Sequence, residues 1–409
     1  MPISTNKVLI IYNLDEPDSL RVANYYISAR GLNSANKLGF HWGTQSNINS
    51  GVGFNTDGTD HLMATYADVV TVANYINANA IEAVVLSILC PAGIVNASSH
   101  VVSLENVMGS AQHWKQVGSI VSSQNAYNIS DSITSKTNPS PPGGIYSSSN
   151  PGGTFSYDVR IPTTFHWQGN NNWIPHGRIG IPQYAGNLPT ETYDNSIGYI
   201  NTALASEQSI ASAASLPIHY HYYDRYGYPQ TGTATTERAR LMAVSKGLAY
   251  QICRISGEIN NNGSPYQNMA DQWCVPADTY SYDDLIHGRI KPPLWGLLGD
   301  DYVWNFEQDG TPNVYTVIPG AWGAGLQSYG GRDLAVEILL NGGAAVTGCV
   351  YEPQVQAQLT QEVFLNALLL GVSMMEAASY SNMLGGWMMT TLGDPLYRPF
   401  GKQNTMLIG

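Results

Sequence analysis

The sequence predicts an α/β fold built on a largely parallel, doubly wound sheet, with helices on both faces and long loop-rich insertions. Three observations predict it. Val8-Leu9-Ile10-Ile11-Tyr12 is a continuous apolar run, as expected of a strand buried on both faces. With the helical spacing that follows it and the apolar run Ala83–Leu89, it makes a β-α-β-type opening. The stretch 342–400 closes the chain in a similar way: an apolar strand ending at Tyr351-Glu352-Pro353, a long apolar helix, and a last strand that turns at Gly393-Asp394-Pro395. Two buried strands flanking a crossover helix imply parallel pairing.

Taken in order, Pro17-Asp18-Ser19 starts the first helix, with Asp18 or Ser19 as N-cap. Leu20, Ala23 and Ile27 form its stripe, and Gly31 ends it. A second helix is expected over 61–79, with Leu62, Tyr66, Val69, Ala73 and Ile76 on one face. Residues 91–172 are rich in Ser, Asn, Gly and Pro and read as a long insertion with short strands of its own. Order resumes at Arg178–Pro182 as a short strand and at 192–213 as a helix striped by Tyr193, Ile197, Ile200 and Leu204. Ile218–Tyr223 reads as a strand. Thr235–Ser256 reads as a helix striped by Leu241, Val244, Leu248 and Ile252. A second irregular insertion covers 257–291, followed by strands at Leu294–Leu298 and Val314–Ile318 and a helix near Asp333–Leu340. No stretch reads as a linker between independent domains, so 1–409 is expected to be a single α/β domain.

A formal charge of −12 argues against a nucleic-acid partner, because phosphate binding needs a basic surface. The charged fraction is 12%, about half the ~25% usual for soluble domains. Ser, Asn, Thr, Gln, Gly and 26 tyrosines supply the polarity instead. Such a surface resists association weakly, so copies of this chain and other assembly proteins are the expected partners. The four cysteines are far apart, and Cys90, Cys253 and Cys349 lie in apolar segments, which predicts buried free thiols. The start of the chain enters a strand at once, so no secretory signal is expected. No apolar run reaches the length of a membrane span.

Four constellations could carry chemistry. Cys349 ends an apolar run and His287-Gly288 precedes it, the residue types of a thiolate–imidazole dyad. Cys349 is followed by more strand-like residues, however, which points to a packed thiol. His219 and His221 share one face of a strand with Asp224 beyond, an incomplete metal set. Asp15-Glu16, Asp300-Asp301 and Glu307–Asp309 are acidic clusters without the alternation calcium needs. Gly320–Gly325 follows a strand as a phosphate loop would, but lacks Gly-Lys-Ser/Thr and carries Trp322, so a tight turn is expected. No cofactor is implied.

Several blocks recur in an order that resembles an uncharacterised bacterial family. They are Val8–Asn13 with Pro17–Tyr26 and Arg30-Gly31, Val84–Leu89 leading to Pro91, Gly177-Arg178-Ile179, Tyr351-Glu352-Pro353, and Gly393-Asp394-Pro395-Leu396-Tyr397-Arg398-Pro399. That family is distantly similar to gingipain-type, caspase-like cysteine peptidases. The resemblance implies a caspase-like sheet, but not the activity. Such peptidases place His-Gly after one strand and Cys after the next, whereas here Val314–Ile318 leads into Pro319-Gly320-Ala321. The expected function is therefore a non-enzymatic subunit of a large homo-oligomeric assembly, a virus or phage particle or similar array. A cysteine-peptidase-like hydrolase and a glycan- or surface-binding module using Trp167 and Trp173 are the alternatives.

Overall fold

The computed structural model describes residues 2–44, 64–91, 93–95, 101–118, 174–181, 191–209, 216–222, 232–254, 280–281, 291–299, 315–325, 330–349, 359–381 and 389–401. The chain is α/β, with parallel pairing dominant in both main sheets. In the first sheet β1 (Val8–Asn13) lies between β2 (Lys37–Phe40) and β3 (Ala83–Leu86), and β6 (His176–Arg178) follows β3, all parallel. Val8, Leu9, Ile10 and Ile11 are buried, as an unbroken apolar run between two helical layers requires.

Helix α1 (Pro17–Arg30) begins with Pro17 at its first turn and Glu16, not Asp18 or Ser19, at the N-cap. Ser19 is drawn inward instead, accepting from the Asn13 N–H at 3.0 Å. Helix α2 (Tyr66–Asn79) opens on a capping box between Thr65 and Asp68, which satisfies two otherwise orphan donors. Within 91–172 the described part holds a hairpin, β4 (Gly93–Val95) with β5 (Val101–Ser103), and two short helices, α3 (Leu104–Gly109) and α4 (Ala111–Val117). Composition alone concealed those helices.

The second sheet runs β13-β12-β11-β10-β7-β8-β9. Its members are β7 (Ile218–Tyr222), β8 (Tyr250–Arg254), β9 (Tyr280–Ser281), β10 (Pro293–Gly299), β11 (Thr316–Gly325), β12 (Ala345–Cys349) and β13 (Met389–Gly393). Helices α5 (Tyr193–Gln208), α6 (Gly232–Ser245), α7 (Gly330–Leu339), α8 (Gln361–Leu369) and α9 (Met374–Ser381) complete the order.

Three further expectations are corrected. The helix expected to Ser256 stops at Ser245, and Tyr250–Arg254 is a strand parallel to β7. Gly247, at φ +68°, terminates the helix; Leu248 and Ile252 are buried from different elements, while Leu241 and Val244 face outward. The expected closing parallel pair is antiparallel, because two helices separated by Gly371 return the chain against β12 from the other end. Gly320–Gly325 is neither turn nor phosphate loop but the second half of β11. A register irregularity opposite Leu294 and Gly296 absorbs the extra residues. Gly296 leaves room for the Trp322 ring, which an added Cβ would meet at 2.7 Å.

The sheets meet where Gly180, beyond β6, exchanges two backbone hydrogen bonds of 3.2 Å with Gly393 at the end of β13. A single apolar cluster extends from Leu9 and Leu86 under the first sheet to Trp322 and Phe400 under the second. No helix among the described residues is long and apolar enough to cross a membrane.

Gly393 has φ +88°, and a Cβ there would stand 2.4 Å from the Ala344 carbonyl oxygen. Gly393→Ala should cost more than the about 1–3 kcal/mol of backbone strain alone. Gly31→Ala, at φ +63° in open space, should cost only about 1–2 kcal/mol. Equal urea midpoints for the two variants would contradict this.

Candidate functional site

In the first sheet the chain passes from β1 to β2 on one side and then to β3 on the other. The crevice between the carboxyl ends of β1 and β3 is thus a topological switch point, where open α/β sheets place ligands. Asn13 ends β1 there, fully buried. Its Nδ2 donates to the Gly43 carbonyl at 2.8 Å and the Leu89 carbonyl at 3.0 Å, and its Oδ1 accepts from the Asp15 N–H at 3.1 Å. One amide thereby pins three loops. Leu89 sits at φ +56°, unusual for a branched residue, where the chain turns out of the sheet. Ser19 donates to the Ile88 carbonyl at 2.6 Å, and Ser87 to the Ser19 carbonyl at 2.6 Å.

Beneath this rim is a buried ion pair. The Arg178 guanidinium donates through Nε to Glu105, through Nη1 to the Cys90 carbonyl at 2.7 Å, and through Nη2 to the Pro91 carbonyl. Glu105 Oε2 is buried and unbonded. Burial pushes the Cys90 thiol up to about 12, with Arg178 opposing, so it stays protonated at neutral pH. On the outside, His41 Nδ1 lies 2.8 Å from Asp15, whose other oxygen accepts from the Gly43 N–H at 2.6 Å. The His41 bond, then the Gly43 bond, lower the Asp15 carboxyl below its ordinary range. Among the described residues, Asn13, Asp15, Ser19 and Arg178 are all committed to holding loops in place.

A second polar centre surrounds Asp394. Tyr26 donates to its Oδ1 at 2.7 Å, and Arg30 to its Oδ2 through Nε at 2.9 Å and through Nη2. Arg30 Nη1 also spans both Glu207 oxygens at 2.9 and 2.8 Å. Burial, then the Asp394 charge, hold the Tyr26 phenol well above its usual range, keeping it a donor.

The residues singled out by sequence lie elsewhere. Cys349 ends β12 with its thiol in the main apolar core, pushed up to about 12 by burial alone. His287 lies outside the described residues. His219 is fully buried near the amino end of β7, with Nε2 2.8 Å from the Pro293 carbonyl oxygen and its ring edge-on to Tyr315 at 5.5 Å. Burial lowers it to about 4, so it is neutral. His221 is on the same strand, opposite Gly299 and Cys253 in register, and Asp224 lies outside the described residues. Among the described residues no group of three or more His, Cys, Asp or Glu could hold a metal ion. Asp300-Asp301, Glu307–Asp309, Trp167 and Trp173 also lie outside them.

The sequence reading missed Glu105, Arg178, Arg30 and Asp394 as partners. One signal was available: an Arg inside the apolar strand at Gly177-Arg178-Ile179 needs a buried counter-charge. No family model, curated protein or solved structure matches this chain.

His219 titrates near 4 folded, against about 6.5 in an unfolded chain. Its contribution to stability is complete above about pH 6.5 and is lost as pH falls toward 4. His219→Gln should flatten that part of the stability–pH curve; an unchanged acid limb would contradict the assignment. Arg178→Met should cost about 3–5 kcal/mol by leaving Glu105 buried and unpaired, and Glu105→Leu added to it should recover most of that loss. Urea unfolding measures both, and a milder Arg178→Met than double variant would refute the pairing.

Proposed function

We propose that this protein is a non-enzymatic structural subunit of a large homo-oligomeric assembly, of the kind that builds a virus or phage particle or another ordered array. The observation that carries this reading is where the charge goes. Of 18 Lys and Arg, the side chains of Arg30, Arg178, Arg240 and Arg398 are buried and that of Arg238 is half-buried; all but Arg240, which lies over the Tyr250 ring, face Asp394, Glu207, Glu105, Glu376 and Glu362. A chain already poor in charge thus keeps part of it inside. The exterior keeps a net negative charge, but ionised groups are sparse in a chain of which only 12% of residues are charged. Leu241 and Val244, 51% and 43% exposed and one helical turn apart on α6, add an outward apolar pair.

The buried, protonated thiols of Cys90 and Cys349 weigh against a cysteine hydrolase. On this reading the parallel sheets and the Gly393-Asp394-Pro395 closure belong to a caspase-like scaffold reused without its chemistry.

Sedimentation velocity at micromolar concentration tests the proposal. Species well above the 44.3 kDa protomer are expected, shifted toward the protomer by Leu241→Asp with Val244→Asp. A wild-type protomer alone, with Cys349 labelled in the native state by a thiol-directed probe, would reverse the reading.

A further inference from the structure

The pocket beside the Asp394 centre has a volume of about 120 Å³. Val8, Leu204 and Leu396 give it apolar walls, and Arg30, Glu207 and Arg398 give it polar ones. Arg30 and Glu207 satisfy each other, and Glu207 Oε1 also accepts from the Arg398 backbone N–H at 2.8 Å. The Arg398 side chain is in a different state. It is 7% exposed, yet none of its five N–H donors makes a hydrogen bond to a described residue, and Nε is enclosed without an acceptor. Glu376 Oε2 stands 3.8 Å from Nη2, beyond hydrogen-bond reach. That oxygen already accepts from the Ser373 N–H at 2.8 Å and hydroxyl at 2.7 Å.

Arg398 thus has an ion-pair partner in Glu376 but no hydrogen-bond acceptor among the described residues, and guanidinium N–H groups in native structures find acceptors. The pocket it lines is the place for one. Charge decides the partner's class. With all groups ionised, Arg30 and Arg398 face Asp394, Glu207 and Glu376, two positive charges against three negative. A further anion would be repelled; a neutral acceptor would not. Size is bounded as well, since a cavity of about 150 Å³ holds benzene and this one is smaller.

We propose that this pocket binds a small uncharged molecule that presents a carbonyl oxygen to Arg398 and a short aliphatic body to Val8, Leu204 and Leu396. Propionamide and propionate are nearly isosteric and differ in charge, so they serve as probes. Ligand-observed NMR on the full chain should show propionamide binding, and propionate about tenfold weaker. Arg398→Met should abolish propionamide binding by removing the donors, and Leu204→Trp should abolish it by filling the pocket while keeping them. Tighter binding of propionate would overturn the charge argument. Binding of neither probe would leave water as the occupant and end the proposal. Propionamide binding that survives Leu204→Trp would place it elsewhere and do the same.

Discussion

Asp394 is the group on which the described structure depends. It sits fully buried just after β13, with its carboxylate between the Tyr26 hydroxyl and the Arg30 guanidinium from the last turn of α1. The chain around it is tied by five hydrogen bonds to four parts of the fold. Its backbone N–H donates to Ala344 before β12, and the Pro395 and Tyr397 carbonyls accept from the first turn of α9. The Arg398 N–H reaches Glu207 on α5, and the Tyr397 hydroxyl reaches the Gly320 carbonyl in β11. A short segment therefore joins helices packed on the first sheet to strands of the second. Because these bonds are buried and mutually satisfied, removing one partner exposes the others to the full cost of an unpaired group.

This arrangement links the fold to the functional reading. Arg178–Glu105 under the first sheet and Arg30–Asp394–Glu207 between the sheets place ion pairs where many proteins place hydrocarbon. Buried pairs of this kind add little net stability compared with apolar packing, but removing one partner of a pair is strongly destabilising. They also leave a surface whose polarity is mostly amide and hydroxyl. On the proposed function, an exterior of that kind would meet copies of the same chain.

How much of this the sequence revealed depended on the residue. The run Val8–Tyr12 identified a doubly buried strand because no face of it could meet water, and the caps at Thr65 and Thr192 lie beside helices recognised from their stripes. Strand direction was not legible. Ala345–Cys349 and Met389–Gly393 look alike in either sense, and only the break at Gly371 between α8 and α9 hinted that the return was not a simple crossover. The strand at Tyr250–Arg254 was misread because Leu248 and Ile252 continue a helical spacing by coincidence, although Lys246-Gly247 carried a stop signal. The site was harder still. Cys349 and His219 have suitable side chains, and burial makes both inert. The polar centres are made by residues far apart in the chain, as Tyr26 and Asp394 are, and spacing cannot reveal such partners.

The central claim is that the closing segment and α1 are held as one unit through the Arg30–Asp394 pair. A double-mutant cycle with Arg30→Met and Asp394→Asn, read by urea unfolding, tests it most directly. Strong coupling is expected, about 2–3 kcal/mol, with the double variant much less destabilised than the two single losses combined. Single effects that add to within about 0.5 kcal/mol would mean that the two groups do not depend on each other, and the account would be wrong.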